Sequence, residues 1–465
     1  MSKTFPFTPQ ATRYGASLGH LGDEILVRFP TRRISEARVI WINPRWVVED
    51  EPRTAQQREE WLLESFGVFA ESLPIEGSVR FGANGFLDAD RYGGTGGAVN
   101  GGSGRCASLN GYNAKGIGPT PLVSRFSDAQ HRNGLMSLSE AIREVISSEV
   151  ANEELPCGAV PTLAIIDTGV NFRAPQDGKE HRAAIVVRPD FIRPAHFERS
   201  IFFGDSGHAE SHQYKDATRV KQAIRHTASR PDTFPTLKKM FVSIARQLGA
   251  MRAKRLWQGQ FLTSNITIDG ALVDFGAFRS LRNWRRFSGL AGEQFGTEIR
   301  QLKRAFLSLS FYFSKYASDL IGLLDLNRIW RDIEIAERES FNETIASGLG
   351  LNKHPDTALV FEIQEQIQYY YMLQQAATLG DDVQHSTSWL SRLLTNFDEQ
   401  EFIAPGQETA TANDIARLLK HAICQKENET MSITKSLHFF KPRHHLNLMR
   451  LNLSSDYIEK NLYTM

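Results

Sequence analysis

Gly93-Gly-Thr-Gly-Gly-Ala-Val-Asn-Gly-Gly-Ser-Gly-Arg105 is the most biased segment of the chain, and seven of its thirteen residues are glycine. Such a segment cannot form the interior of a strand or helix, because glycine has too much backbone freedom to lose. It is therefore predicted to be a flexible linker, or a loop whose backbone approaches another group closely.

The elements around this segment indicate an α+β fold. Strands are predicted at Glu24–Phe29, Ala37–Asn43, Cys106–Ala114, Thr162–Asp167 and Ala183–Arg188. Helices are predicted over Trp61–Phe69 and Ser137–Val150, the second with Ser137 or Ser139 as its cap. From about Pro235 the pattern is mostly helical, apart from a hairpin over Asn265–Asp274.

The last third, from Glu298 to Met465, is predicted to be a helical bundle. Its clearest stripe, with 3-4-3-4 spacing, is expected to be core and not a ligand site; it contains Val360, Ile363, Ile367, Tyr370 and Gln374.

Composition excludes several classes of protein. The 465 residues carry a net charge of +1, which argues against a surface built for nucleic acid. The three cysteines form no CxxC pair, so neither a disulfide framework nor a cysteine-rich zinc site is predicted. The N-terminus has no secretory apolar segment, and no run of 18 apolar residues indicates a membrane span. A cytoplasmic protein is expected.

A nucleotide site is predicted from the order of four features. A β-rich region, a glycine-rich loop, a strand that ends in lysine and a helix with an inward glutamate are the parts of a kinase-type site. The candidates are Gly93–Gly104 for the loop, Lys115 for the lysine and Glu144 for the glutamate. Asn265 and Asp274 have the character of the residues that hold Mg²⁺ in such a site.

The sequence resembles the SelO family of pseudokinases, which are protein adenylyltransferases. Segments of this chain match the family motifs YAGHQFG…GDGR, KGAGLTPYSR, IREFLASE, MR…RFGHFE and NTDNMS…DYGPFGF. They are Tyr92–Arg105, Lys115–Arg125, Ile142–Glu149, Val187–Glu198 and Leu262–Phe278. The resemblance covers roughly residues 20 to 280.

The resemblance implies a two-lobed protein-kinase-like (pseudokinase) α+β fold with an α-helical C-terminal extension. We expect an N-terminal lobe over 1–160, a C-terminal lobe over 161–310 and the extension over 311–465. It also implies ATP bound in a flipped orientation, with Mg²⁺ or Mn²⁺, and transfer of AMP to a protein or peptide acceptor. Neither nucleic acid nor membrane is an expected partner.

Site residues follow from the matched positions. Lys115 would contact phosphates and Glu144 would orient it. Arg188 and Arg193 would bind phosphate oxygens, for which guanidinium geometry is suited. Further nucleotide contacts are expected at Gly102, Gly104 and Arg105, with Asn265 and Asp274 as metal ligands.

One departure from the family affects the chemistry. The catalytic-loop aspartate of the family, its presumed general base, is Ser264 here. Serine has no useful basicity at neutral pH. In addition, the His-Gly of the family's catalytic segment falls at about Gln258-Gly259, and the aspartate of GDGR is Ser103.

Three functions therefore remain open. The first is transfer of AMP from ATP to a protein or peptide. The second is activation of a carboxylate as an acyl-adenylate, as in a ligase or a peptide-maturation pathway of the siderophore-microcin type, because a carboxylate needs no base. The third is a catalytically dead nucleotide-binding scaffold, for which Ser264 is the motivating residue.

Overall fold

The structure is a computed structural model, and its strands and helices are numbered here in chain order. It describes residues 5–6, 18–47, 54–74, 81–94, 101–123, 132–174, 178–200, 209–281, 283–285, 287–288, 294–352, 354, 356–376, 411, 414–415, 417–419 and 421–422. The strands in these ranges are β1 (Phe5–Pro6), β2 (Leu26–Ile34), β3 (Arg38–Ile42), β4 (Trp46–Val47), β5 (Val68–Ala70), β6 (Phe81–Asp90), β7 (Cys106–Leu109), β8 (Tyr112–Lys115), β9 (Ala164–Arg173), β10 (Glu180–Pro189), β11 (Leu256–Trp257) and β12 (Arg279–Ser280).

The helices are α1 (Ala55–Phe66), α2 (Leu138–Glu154), α3 (Ala209–Ala228), α4 (Leu237–Lys254), α5 (Glu298–Ile321), α6 (Leu326–Leu349) and α7 (Thr357–Ala376). The fold is therefore α+β, as predicted. Among the described residues, no helix is both long and apolar enough to cross a membrane.

One antiparallel sheet of eight strands forms the first half of the molecule, in the order β3-β9-β10-β8-β7-β6-β2-β5. Successive side chains alternate between its faces. On one face, small and aliphatic residues such as Leu87, Ala107 and Val187 pack against α1 in a hydrophobic core. The other face carries polar residues that are cross-strand neighbours. Asp88 pairs with Ser108, and Asn113 pairs with Ser108 on one side and Arg188 on the other.

Helix α2 packs beside this polar face. The Ser137 hydroxyl caps the helix by accepting from the Glu140 amide at 3.2 Å. Ile142 and Val145 are buried against aliphatic residues of β9 and β10. This packing fixes the rotation of the helix and turns Glu144 towards the polar face.

The second half of the molecule is helical. Helices α3 to α6 enclose a core that includes Phe241, Leu248, Phe306 and Ile333. The stripe predicted on the last helix is core, since Ile363, Ile367 and Tyr370 are buried, and they belong to the cluster that also holds Trp284. The prediction of a helical bundle from residue 298 is confirmed as far as residue 376, and most of the chain beyond lies outside the described residues.

Two local predictions are wrong in detail. Cys106–Ala114 is not one strand but the hairpin β7-β8, because Asn110 and Gly111 have φ values of 52° and 85° and form a tight turn. The predicted helix at 61–69 begins earlier, at Ala55, where Thr54 and Gln57 form a capping box. It ends at Phe66, and β5 follows at once.

The sheet also crosses the lobe boundary that was expected at residue 160. Strands β9 and β10 follow that residue, and β10 pairs with β8, so they belong to the same sheet as the earlier strands. The predicted hairpin over Asn265–Asp274 is present, with Ile266 opposite Leu272 and a turn at Gly270, whose φ is 87°.

Candidate active site

Lys115 is the centre of a buried charge cluster. Its Nζ lies 2.5 Å from Oε1 of Glu144 and 3.4 Å from Oδ1 of Asp274. The side chains of Lys115 and Glu144 are only 2% and 3% exposed, whereas that of Asp274 is 38% exposed. The strand end, helix α2 and the loop after the hairpin therefore converge on one ammonium group, and the open side of the cluster is at Asp274.

The hairpin brings the two predicted metal ligands together. The Val273 amide donates to the Asn265 carbonyl at 3.0 Å, so Asp274 follows directly beside Asn265. Asp274 has a φ of 63°, in the left-handed region that costs energy for a residue with a side chain. Gln258 holds this backbone by donating to the Val273 and Asp274 carbonyls at 3.3 Å and 3.0 Å.

Asp274 is ionised, although its side chain is partly buried. Burial by itself would raise the pKa of this carboxyl group, but Lys115, Arg105 and the Gly276 amide outweigh that effect and lower the pKa. The Gly276 amide donates to Oδ1 at 3.2 Å. Asp274 is therefore a carboxylate at neutral pH, which is the form that binds a metal ion.

Arg188 continues the cationic row along the sheet. Its Nε donates to Oδ1 of Asn113 at 2.9 Å, and its Nη1 lies 3.8 Å from Oε2 of Glu144. Its guanidinium stacks over the Phe191 ring at 5.0 Å. Glu144 thus lies between Lys115 and Arg188 and balances both cations.

Arg193 is held by a backbone carbonyl, an acid and two aromatic rings. Its Nη1 donates to the Ser264 carbonyl at 2.9 Å, and its Nη2 lies 3.6 Å from Oδ2 of Asp90. The guanidinium lies over the rings of Tyr92 and Phe191, at 4.4 and 4.5 Å from their centroids. The structure therefore ties this arginine directly to the backbone at Ser264.

His196 supports this arrangement as a neutral side chain. Its Nδ1 accepts from the Arg193 amide at 3.1 Å, which leaves Nε2 to donate to Oδ2 of Asp90, also at 3.1 Å. Burial lowers the pKa of His196 to about 4, and the neighbouring Asp90 only partly opposes this effect. The histidine is an orienting group and is neutral at neutral pH, with its one ring proton on Nε2.

Of the predicted glycine contacts, Gly102 has a clear packing role. A Cβ at Gly102 would lie 2.4 Å from the Asp90 carbonyl, so only glycine fits there. Gly104 is less restricted, since its Cβ would make ordinary contacts with Val123. Arg105 pairs with Glu140 of α2 at 3.0 Å.

The first glycines of the rich segment pack against protein backbone. The amides of Gly93 and Gly94 donate to the carbonyls of Ala195 and Arg199 at 2.9 and 3.2 Å. A Cβ at Gly93 would lie 2.3 Å from the Glu198 carbonyl. Residues 95–100, in the middle of the loop predicted to cover the nucleotide, lie outside the described residues.

Ser264 is the residue that the family resemblance aligns with the aspartate base of the family. Its Oγ donates to Oδ1 of Asn265 at 3.3 Å. In the described part of the chain, no carboxylate lies within hydrogen-bonding distance of this hydroxyl, so nothing there activates it as a base.

Residues 10–288, which are more than half of the 465-residue chain, match the family described as "Protein adenylyltransferase SelO". The chain belongs to the SelO family. At the level of that family, its activity is the transfer of AMP to protein, which makes ATP the expected nucleotide. A search of curated proteins found no match to the chain.

The donor atoms fit the metal ion expected beside ATP in a SelO-family protein. Asn265 and Asp274 offer an amide oxygen and a carboxylate, and hard oxygen ligands suit Mg²⁺ and Mn²⁺. No group of three or more His, Cys, Asp or Glu residues in the described ranges could hold a metal by itself.

Sequence reasoning missed two residues that support the cluster, and it named Gln258 without its contact to the backbone at Asp274. Asp90 and Asn113 hold the two arginines, and Gln258 holds the backbone at Asp274. Alternation along the strands was the available signal for two of them. Asp90 lies two residues after Asp88 on β6, and Asn113 lies two residues before Lys115 on β8. Residues two apart on a strand share a face, so both lie on the polar face of the sheet.

Proposed function

We propose that this protein transfers AMP from ATP to a hydroxyl group of a protein or peptide, in a two-lobed protein-kinase-like fold. The observation that carries the proposal is the row of cations Lys115, Arg188 and Arg193 beside the Asn265–Asp274 pair. We place the nucleotide between the sheet and the helical part, with the lobes divided after Pro189, where the sheet ends.

The row of cations suits a triphosphate. Arg188 and Arg193 are fixed by hydrogen bonds and ring stacking, so they need no ordering when a phosphate binds. With the terminal phosphate at these arginines, the α-phosphate lies nearer Asp274. The acceptor oxygen forms a bond to the α-phosphorus and its proton passes to solvent. The bond from that phosphorus to the bridging oxygen breaks, and pyrophosphate leaves towards the arginines.

The remaining residues position and balance charge. Glu144 orients Lys115 towards the phosphates. Asn265 and Asp274 would hold Mg²⁺ or Mn²⁺, which supplies neutralisation of the phosphate charge when bound. Asp90 and His196 fix Arg193 in the direction that its role requires.

A second candidate function, activation of a carboxylate as an acyl-adenylate, is favoured by one observation. The Ser264 hydroxyl donates to Asn265 and has no carboxylate acceptor among the described residues. A hydroxyl acceptor must lose a proton when it attacks, whereas a carboxylate is already deprotonated. The two functions therefore differ in the acceptor oxygen and share the same nucleotide site.

Restoring the base distinguishes the two acceptors. We expect Ser264→Asp to increase AMP transfer to hydroxyl-bearing peptides by about a hundredfold, since general bases contribute roughly 10²–10⁴ in rate. The control is Ser264→Asn, which has nearly the same shape as aspartate and no basicity. The assay is the incorporation of label from α-labelled ATP, followed by treatment of the product with hydroxylamine.

A stable adduct on serine, threonine or tyrosine supports the hydroxyl acceptor. A hydroxylamine-labile adduct that does not respond to Ser264→Asp supports the acyl-adenylate. Both proposals are contradicted if neither a stable nor a hydroxylamine-labile adduct forms and if Asp274→Ala binds ATP as well as the wild type does.

A further inference from the structure

A pocket of about 150 Å³ lies beside the catalytic loop, next to helices α4 and α5. An apolar cavity of about this size admits a ligand as large as benzene, so the pocket has room for one amino-acid side chain. Its lining residues come from the segment after β10, the catalytic loop and the two helices; the apolar ones are Pro194, Phe241, Ile244, Phe261, Leu262, Ile266, Leu302 and Ala305.

One acidic group belongs to these walls. Glu198 is 3% exposed, and its Oε2 accepts from the Thr263 hydroxyl at 2.6 Å. The Ser308 hydroxyl, from α5, also bonds to this side chain. Burial raises the pKa of Glu198, and these two hydroxyl groups and the charge of Arg219 only partly offset that effect.

No cation forms an ion pair with the Glu198 carboxylate within the described ranges. The buried Arg219 donates to the Glu198 backbone carbonyl and is itself paired with Asp216. Arg304, also in the lining, is exposed, and solvent screens its charge. The pocket therefore combines apolar walls with an acid that forms no ion pair among the described residues.

We propose that this pocket binds a cationic side chain with an aliphatic stem, of the lysine type, from the acceptor polypeptide. The apolar walls cover the stem, and Glu198 pairs with the ammonium group. This inference rests on the proposed function, because it assigns the bound side chain to the substrate that receives AMP.

The position of the pocket relates it to the reaction. Thr263, which bonds to Glu198, directly precedes Ser264 in the catalytic loop. The Ala195 amide donates to the Thr263 carbonyl at 3.1 Å, and Arg193 donates to the Ser264 carbonyl. The wall of the pocket at Thr263 is therefore one residue from Ser264, and we assign the polypeptide residues that flank the bound side chain to the acceptor.

The pocket can be tested without ATP or acceptor. We would titrate the full chain with n-butylammonium, which reproduces the lysine side chain, and with n-butanol as the neutral probe, by saturation-transfer NMR. We expect n-butylammonium to bind at least tenfold more tightly than n-butanol. Glu198→Gln is expected to reduce this preference to less than twofold.

Two further variants complete this binding test. Ala305→Leu fills the pocket from α5 and is expected to abolish binding of both probes, which gives a second test if Glu198→Gln does not fold. Glu339→Gln makes the same chemical change at an exposed position of α6 and is expected to leave binding unchanged. Equal binding of the two probes, or a preference that persists in Glu198→Gln, overturns the cation site.

A transfer assay tests the link to the acceptor. Peptides with one hydroxyl residue and a single Lys or Gln at each flanking position are incubated with α-labelled ATP. We expect lysine at one flanking position to increase labelling at least tenfold, and Glu198→Gln to remove this effect while Glu339→Gln retains it. Equal labelling at all positions overturns the assignment to the acceptor. If no peptide is labelled while the probes bind as expected, the proposed function fails for peptides, and the acceptor assignment fails with it.

Discussion

Replacing Glu144 by glutamine removes the charge that balances Lys115 and Arg188 while it keeps the shape of the side chain. Glu144 Oε1 lies 2.5 Å from Lys115 Nζ and accepts from the Phe275 amide at 3.4 Å. Its Oε2 lies 3.8 Å from Arg188. A glutamine retains one oxygen acceptor for the amide and loses the ion pair.

The expected magnitude follows from the burial of the pair. Breaking a buried ion pair by removing one partner costs about 3–5 kcal/mol, because the other charge stays buried. Asp274 remains 3.4 Å from Lys115 and partly compensates, so we expect a loss of about 3 kcal/mol in unfolding free energy. Lys115 then pairs with Asp274 alone and moves away from its position for phosphate, so we expect AMP transfer to fall about a hundredfold, as when one preorganised electrostatic group is lost.

Urea unfolding followed by fluorescence measures the stability, and label from α-labelled ATP measures the transfer. The matched control is Glu153→Gln on the same helix, since Glu153 is 50% exposed and pairs with Arg45 away from the cluster. We expect it to change stability by less than about 1 kcal/mol and to leave transfer unchanged. Wild-type stability together with wild-type transfer in Glu144→Gln would refute the assigned role of the cluster.

Two further predictions concern stability. Burial raises the pKa of Asp190 to about 7, although the Ser108 hydroxyl donates to its carboxyl group at 2.5 Å. The folded chain therefore keeps the carboxyl proton of Asp190 up to a higher pH than the unfolded chain does. As a result, the unfolding free energy of the wild type falls as pH rises from about 4 to 7. Asp190→Asn should therefore gain up to about 4 kcal/mol relative to wild type between pH 4 and pH 8 in urea unfolding, and a constant difference would contradict the prediction. Gly94→Ala should cost about 3 kcal/mol, because its φ is 97° and a Cβ would lie 2.7 Å from the Thr263 hydroxyl. The control is Gly178→Ala, which should cost only about 1 kcal/mol of unfolding free energy, because Gly178 has a φ of 66° and open space around it. Equal losses of stability for the two variants in thermal unfolding would show that the packing at Gly94 is not restrictive.

Local sequence signals were sufficient for the parts of the site that depend on spacing. The hairpin turn at Asp269-Gly270 predicted the element that brings Asn265 beside Asp274. The cap at Ser137 and the periodicity of α2 predicted the helix that turns Glu144 inward. In each case a few neighbouring residues determine the geometry.

Contacts between distant segments were not predictable in the same way. Gly93 was interpreted as part of a loop for phosphate, yet its backbone lies against Ala195, about a hundred residues later in the chain. The left-handed backbone of Asp274 depends on Gln258. The role of Asp90 depends on its pairing with Arg193. These interactions exist only after the sheet and helices have packed, so a single sequence carries little signal for them.

The position of the transferred label tests the central claim most directly. ATP labelled separately at the α and γ phosphates is supplied with Mg²⁺ or Mn²⁺ and a cell extract as the source of acceptor, and Asp274→Ala serves as the inactive control. We predict that label is transferred from the α position only, that pyrophosphate is released, and that Asp274→Ala abolishes both. Label transferred from the γ position would contradict the account, because it would place the terminal phosphate at the acceptor and away from Arg188 and Arg193.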